Sequence, residues 1–181
     1  MTREQALALM QERLKNQNLQ KHVLAVAAVM KRLAPKFGGD PAVWEIAGLL
    51  HDLDYEVTLK EPDRHGLVSA EWLREQGVAE EIVAAVLAHA GKAPRDVPLN
   101  QAAYCADPVT GLLVACALIH PDKKLAPIDV PFVLKRFKEK RFAAGADRER
   151  IRACEALGLS LDEFLGLSLA AMQEISSELG L

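Results

Sequence analysis

The stretch from Ile46 to Glu56, I-A-G-L-L-H-D-L-D-Y-E, limits what this chain can fold into. Five small or apolar residues suit a helix entering the interior, and His51 and Asp52 then follow side by side. Removing two ionisable groups from water is costly unless a partner or a metal compensates. A divalent cation is the favoured compensation, because imidazole and carboxylate are its usual protein ligands. Further histidines and a carboxylate lie elsewhere in the chain to complete a shell. His51 and Asp52 stand about 100° apart around a helix axis, so both reach one point at the edge of its buried face.

The rest of the composition agrees with helices around such a site. The 181 residues are enough for one domain with a real core, half of them are hydrophobic, and only 5% are aromatic. Abundant Ala and Leu favour helix over strand. A net charge of −3 gives no whole-chain attraction to nucleic acid or to an anionic membrane. Cys105, Cys116 and Cys154 are odd in number and form no C-x-x-C pair, which points to a reducing cytoplasm rather than a disulfide framework. The opening M-T-R-E-Q does not lead into a signal peptide, and no uninterrupted apolar run reaches membrane-spanning length, so the expectation is a cytoplasmic protein without a membrane partner.

Thr2 with Gln5 predicts a capping box and a first helix to about Lys15. A second helix covers Leu19 to Phe37, with His22 on one apolar face beside Val26, Val29 and Leu33. His22 therefore points inward, as a ligand or as a core histidine satisfied by a backbone carbonyl. Asp40-Pro41 starts the helix that carries Trp44, Ala47, Leu50 and His51 inward, and Asp54, Tyr55 and Glu56 follow as it leaves the core. His65 stands at the start of the next helix, which ends at Gly77, and His89 closes the apolar face of a helix running from Glu80 to Ala90. A long apolar helix from Leu99 to Ile119 contains one carboxylate, Asp107, which is either a ligand, an N-cap for a helix restarting at Pro108, or both. His120 belongs to a surface turn. The basic run Lys135–Arg141 is a solvated face, a phosphate-facing edge or a nucleic-acid footprint. The last two helices start at Asp147 and at Ser160, the latter with Glu163 as a second capping box. No strand-like alternation occurs, and the expected fold is an all-α bundle.

The ordered set His22, His51-Asp52, His65, His89 and Asp107 resembles the HD-domain superfamily of metal-dependent phosphohydrolases, with its pattern H…HD…D and two further histidines in the two-metal branches. The segments T-G-L-L-V-A-C-A-L, P-D-K-K and R-F-A-A-G-A resemble small bacterial HD-domain proteins known only as hydrolases. The resemblance implies one HD-type helical domain over residues 1–181, with a ligand core at 19–120 and C-terminal helices at 129–180 packed on it. It implies a primary metal site made by His22, His51, Asp52 and Asp107, with Asp52 bridging to a second ion held by His65 and His89. One or two divalent ions are expected, with Fe, Mn, Zn, Ni, Co and Mg indistinguishable.

The implied activity is hydrolysis of a small, nucleotide-like phosphoester by metal-activated water. Asp52 belongs to the catalytic centre, Asp54 or Glu56 would orient the water, and Lys123, Lys124 or Arg141 would offset phosphate charge. A small-molecule substrate rather than nucleic acid is the expected partner, and self-association is left open. Two positions depart from the family pattern. Tyr55 stands where many relatives place Lys or Glu, and Pro108 follows the last ligand. The alternatives are a di-iron oxygenase of the same superfamily, which the same ligands would serve, and a binding or signalling module with a vestigial site.

Overall fold

A computed structural model describes residues Met1–Leu181. Its helices are α1 (Arg3–Arg13), α2 (Gln17–Leu33), α3 (Pro41–Leu50), α4 (Tyr55–Thr58), α5 (Leu67–Glu75), α6 (Glu80–His89), α7 (Pro98–Ile119), α8 (Val130–Phe137), α9 (Arg148–Arg152), α10 (Leu161–Glu174) and α11 (Ser176–Leu179), and there is no strand. The caps explain most of the starts. Thr2 and Gln5 form the reciprocal box at α1, and Asp40, Asp129, Asp147 and Ser160 accept from first-turn amides of α3, α8, α9 and α10. Several boundaries differ from those expected: α3 ends at Leu50, before Asp54 to Glu56, and α11 follows the helix that starts at Ser160. Asn16 caps α2, which therefore begins earlier than Leu19, and after Leu33 the chain tightens into a 3-10 turn, Ala34–Phe37, at Pro35. Ser160 makes only its half of a capping box, because the Glu163 carboxylate pairs with Lys36 at 2.7 Å.

Helix α7 is the axis of the molecule. It packs against α2, α6, α8, α9 and α10, and one contiguous core runs from Ala6 to Leu179. By length and composition α7 could cross a membrane, with a mean hydropathy of 1.7, although no uninterrupted run of that length was expected. In the fold, 61% of that window is buried against other helices, which accounts for its apolarity.

The most demanding contact is between α2 and α3. A Cβ added at Gly48 would lie 2.5 Å from Ala27 Cα and 2.8 Å from Ala27 N, so glycine alone permits this approach. Ala27 is itself small and buried, and the two helix backbones meet where these residues face each other. Gly48→Ala is expected to destabilise the protein by about 1–3 kcal/mol through overpacking against backbone that cannot retreat. Denaturant unfolding at matched metal content measures this, and an unchanged midpoint would refute the account of the contact.

Candidate metal centre

Five segments deliver the six side chains of the expected ligand set to one place. Helix α2 contributes His22, the end of α3 contributes His51 and Asp52, and the turn before α5 contributes His65. His89 is the last residue of α6, and Asp107 lies midway along α7. His51, Asp52 and His89 are buried, whereas His22, His65 and Asp107 reach the surface at one edge.

Asp52 sits at the centre and divides its two oxygens. Its Oδ2 lies 3.6 Å from His22 Nε2 and 3.4 Å from His51 Nε2. Its Oδ1 lies 3.4 Å from His65 Nε2 and 3.3 Å from His89 Nε2. Asp107 Oδ1 joins the first side, 3.2 Å from His22 Nε2. His22, His51 and Asp107, and likewise His51, Asp52 and His89, bring donor atoms within 4.8 Å of one another and could each hold a metal ion.

The hydrogen bonds on the far sides of the rings assign the tautomers. His51 Nδ1 lies 2.8 Å from the Gly48 carbonyl, His89 Nδ1 faces the Val86 carbonyl, and His65 Nδ1 lies 2.9 Å from Asp54 Oδ1. The Thr110 hydroxyl donates to the Asp107 carbonyl at 2.9 Å, which leaves its oxygen to accept from His22 Nδ1 at 3.1 Å. In its neutral, metal-binding form each ring thus keeps its proton on Nδ1 and turns an Nε2 lone pair toward Asp52. His65 Nε2 and His89 Nε2 are only 3.0 Å apart, and buried His51 Nε2 has no hydrogen-bond partner at all. Two bare lone pairs at that distance repel unless a cation lies between them. Donors held about 2.0–2.2 Å from one ion lie about 3.0–3.6 Å from each other at bond angles near 90–120°. The separations here run from 3.0 to 3.6 Å, so the donor set fits divalent ions.

Charge in the cluster follows the same logic. Burial works against ionisation of Asp52, yet His51 and His89 hold its carboxyl well below the usual range. Burial also opposes a charge on His51, but neighbouring Asp52 raises that ring to about 9, whereas burial drives His89 down. Burial penalises the charge on Asp107 too, and the hydrogen bond to His22 outweighs it and keeps the acid ionised.

Two expected roles move elsewhere. Asp54 does not leave the core to orient water: it is fully buried, and both its oxygens are committed. Oδ1 accepts from His65, and Oδ2 accepts from the amides of Gly66 at 2.8 Å and Ser69 at 2.9 Å. Gly66 can take this position because its φ is +80° and a Cβ there would meet Ala90 at 2.7 Å. Asp54 thereby fixes His65 for the cluster. Glu56 turns away, and its Oε2 accepts from the amides of Lys15 and Asn16 ahead of α2.

Of the expected phosphate-binding residues, the two lysines stand apart from the centre. Lys123 and Lys124 are exposed in the turn after α7, whose end at Ile119 lies about 18 Å along the axis from Asp107 at 1.5 Å per residue. Arg141 is exposed, and it precedes Ala143, Gly145 and Ala146, which line a 340 Å³ cavity with His22 and Asp107.

Asp107 is not an N-cap. Helix α7 continues through Pro108, which has no N–H for the Tyr104 carbonyl four residues earlier. Arg150 supplies the replacement. Its Nη2 reaches the Tyr104 carbonyl at 3.4 Å, the His89 carbonyl at 2.9 Å and Asp107 Oδ2 at 2.8 Å. One guanidinium therefore anchors two ligand-bearing helices, and no local pattern in the sequence marks it.

An all-α centre of four histidines around one shared aspartate defines a metal-binding class of helical domain. Residues 19–122 match the family model of the HD domain, and the chain belongs to the HD-domain family. Among curated relatives, ribonuclease Y of Aliarcobacter butzleri is 35% identical over 92 residues, 50% of this chain and 17% of that protein. Ribonuclease Y of Nitratidesulfovibrio vulgaris is 30% identical over 96 residues, 53% of this chain and 18% of that protein. Ribonuclease Y of a Sulfurovum species is 27% identical over 165 residues, 90% of this chain but only 32% of that protein. The chain thus spans a third or less of these relatives.

Asp54→Asn, which swaps an acceptor for an amide donor beside two N–H groups, is expected to lower affinity for an ion at His65 and His89 by about 10–100-fold. Affinity at the His22 side should hold, and competition titration with a chelating dye separates the two. Metal uptake must also expel the proton that His51 carries below about pH 9. Apparent affinity should therefore rise by up to about tenfold per pH unit toward that value. Calorimetry in buffers of different ionisation enthalpy counts the released proton, and pH-independent binding would contradict the charge assignment.

Proposed function

We propose that this chain is a metal-dependent phosphohydrolase that holds two divalent ions and acts on a small, nucleotide-like phosphoester. The observation that carries the reading is the division of Asp52, with one oxygen facing His22 and His51 and the other facing His65 and His89. Membership of the HD-domain family and the relatives named ribonuclease Y support hydrolysis of a phosphoester. Bound at these donors, a pair of ions lowers the pKa of water toward 7 and polarises a phosphoryl oxygen, the chemistry such hydrolysis needs.

The protein's own groups supply position and protection. His22, His51, Asp52 and Asp107 would hold the first ion, and Asp52, His65 and His89 the second. Asp54 keeps His65 in register, and Arg150 keeps Asp107 in register. The burial of His51, Asp52 and His89 excludes bulk water from the rear of the centre, so that reaction takes place at the His22–Asp107 edge, where the cavity opens. Both carboxylates are held ionised near neutral pH by their histidine neighbours.

Protein stripped of metal and reloaded with Mn, Fe, Co, Ni, Zn or Mg is expected to hydrolyse bis(p-nitrophenyl) phosphate or a member of a nucleotide panel. His51→Ala should abolish turnover. Metal analysis should find about two equivalents per wild-type chain and about one after His65→Ala or His89→Ala. Absence of turnover with every ion would defeat the hydrolase reading, and one equivalent in the wild type would defeat the two-ion reading.

A further inference from the structure

Helix α7 carries a glycine that the fold does not require. Gly111 lies one turn beyond Asp107 in the middle of the helix, where glycine is disfavoured because it leaves the backbone under-constrained. Two structural reasons would account for it, and neither applies. Its φ is not in the left-handed region, and a Cβ built on it would meet nothing within 4 Å. The position is exposed, although 61% of the apolar window of this helix is buried. The space over Gly111 belongs to no protein atom.

Gly111 lines two cavities. The 340 Å³ cavity beside His22 and Asp107 includes Gly111, and so does a neighbouring cavity of 520 Å³ that also touches His22. The second cavity is walled by Ala25, Val114, Leu118 and Leu179, with Asn18 and Lys21 at its edge. Asp107, Gly111, Val114 and Leu118 are spaced 4, 3 and 4 residues apart and form one stripe of α7 leading away from the metal centre. Leu118 on that stripe is 54% exposed, so the apolar surface is not covered from within the chain. Ala143, Gly145 and Ala146 keep the opposite wall of the first cavity low.

We propose that Gly111 is the floor of the substrate channel: the phosphoryl group sits in the cavity at His22 and Asp107, and an uncharged organic group of nucleoside size crosses Gly111 into the apolar cavity. This rests on the phosphohydrolase reading for the phosphoryl end and adds the place of the group esterified to it and the residue that admits it. Aliphatic walls with a few polar groups favour an uncharged organic group through burial, and a cavity of 520 Å³ has room for one of nucleoside size, with Asn18 and Lys21 to meet its polar atoms. A side chain on Gly111 would block the junction without touching a metal ligand or the core.

Calorimetry on the full-length, metal-loaded protein tests this with two probes, inorganic phosphate and the non-hydrolysable phosphonate analogue of adenosine 5′-monophosphate. The wild type should bind the nucleoside phosphonate at least about tenfold more tightly than phosphate, the order expected when an apolar group enters a preformed pocket. Gly111→Leu should keep its metal and bind phosphate within about twofold of wild type, yet lose that tenfold preference. Gly111→Ala should melt roughly 2–4 °C higher, because alanine restrains the unfolded helix, and should show a smaller loss. A wild type without preference, or a Gly111→Leu protein that keeps it, overturns the proposal. So does a variant that loses metal and phosphate together, since the glycine would then be structural. A preference that Gly111→Leu removes, in a protein that turns over no phosphoester, would sustain this channel while removing the hydrolase reading.

Discussion

The approach of α3 to α2 at Gly48 and Ala27, close enough that a methyl group has no place, sets the geometry on which the centre depends. His51 stands three residues after Gly48 and hydrogen-bonds its carbonyl, and His22 lies on α2 one turn and a half before Ala27. The two rings meet edge to face with centroids 5.3 Å apart. Moving α3 outward by the width of a side chain would separate them, because the ring of His51 is tied to the backbone that moves. A residue that touches no ligand donor atom thus governs whether the donors converge.

Behind the donors stands a frame of fixed partners. Three carbonyl or carboxylate acceptors and one hydroxyl take the four Nδ1 protons, and Arg150 and two amides hold the remaining carboxylate oxygens of Asp107 and Asp54. The result is a pocket preorganised for positive charge: four imidazole Nε2 atoms and two ionised carboxylates face one another at 3.0–3.6 Å. Such an arrangement is costly in a dry interior without a cation, and the cost falls on the residues that the frame prevents from turning away.

Much of this was legible because it is local. Cap residues lie within three positions of the amides they serve, so Thr2, Asp40, Asp129 and Asp147 mark helix starts in the sequence itself. The inward faces of α2 and α6 follow from helical spacing, which places His22 and His89. What escaped depends on distant chain. Asp54 reads as polar sequence leaving the core until α5 folds over it and offers Ser69 and Gly66. Asp107-Pro108 leaves a helix start open beside a continuous helix, since a proline in mid-helix leaves a carbonyl free. The continuous helix is tolerated only because Arg150, forty-three residues after Asp107, supplies a donor. Phosphate-binding roles for Lys123 and Lys124 follow from position in the sequence, which does not show that α7 carries them to the end away from Asp107.

The spacing of the donors along the chain has a consequence for how long the molecule survives. They come from five segments between residues 22 and 107, and only His51 and Asp52 are neighbours before folding. An unfolded chain therefore offers an ion almost nothing, and whatever binds here binds the native state alone. Mass action then makes the ion a clasp: at a free concentration a hundredfold above its dissociation constant it adds about 2.7 kcal/mol to the folding equilibrium. For an ion held this way, its supply and the proteolytic lifetime of the chain become linked quantities.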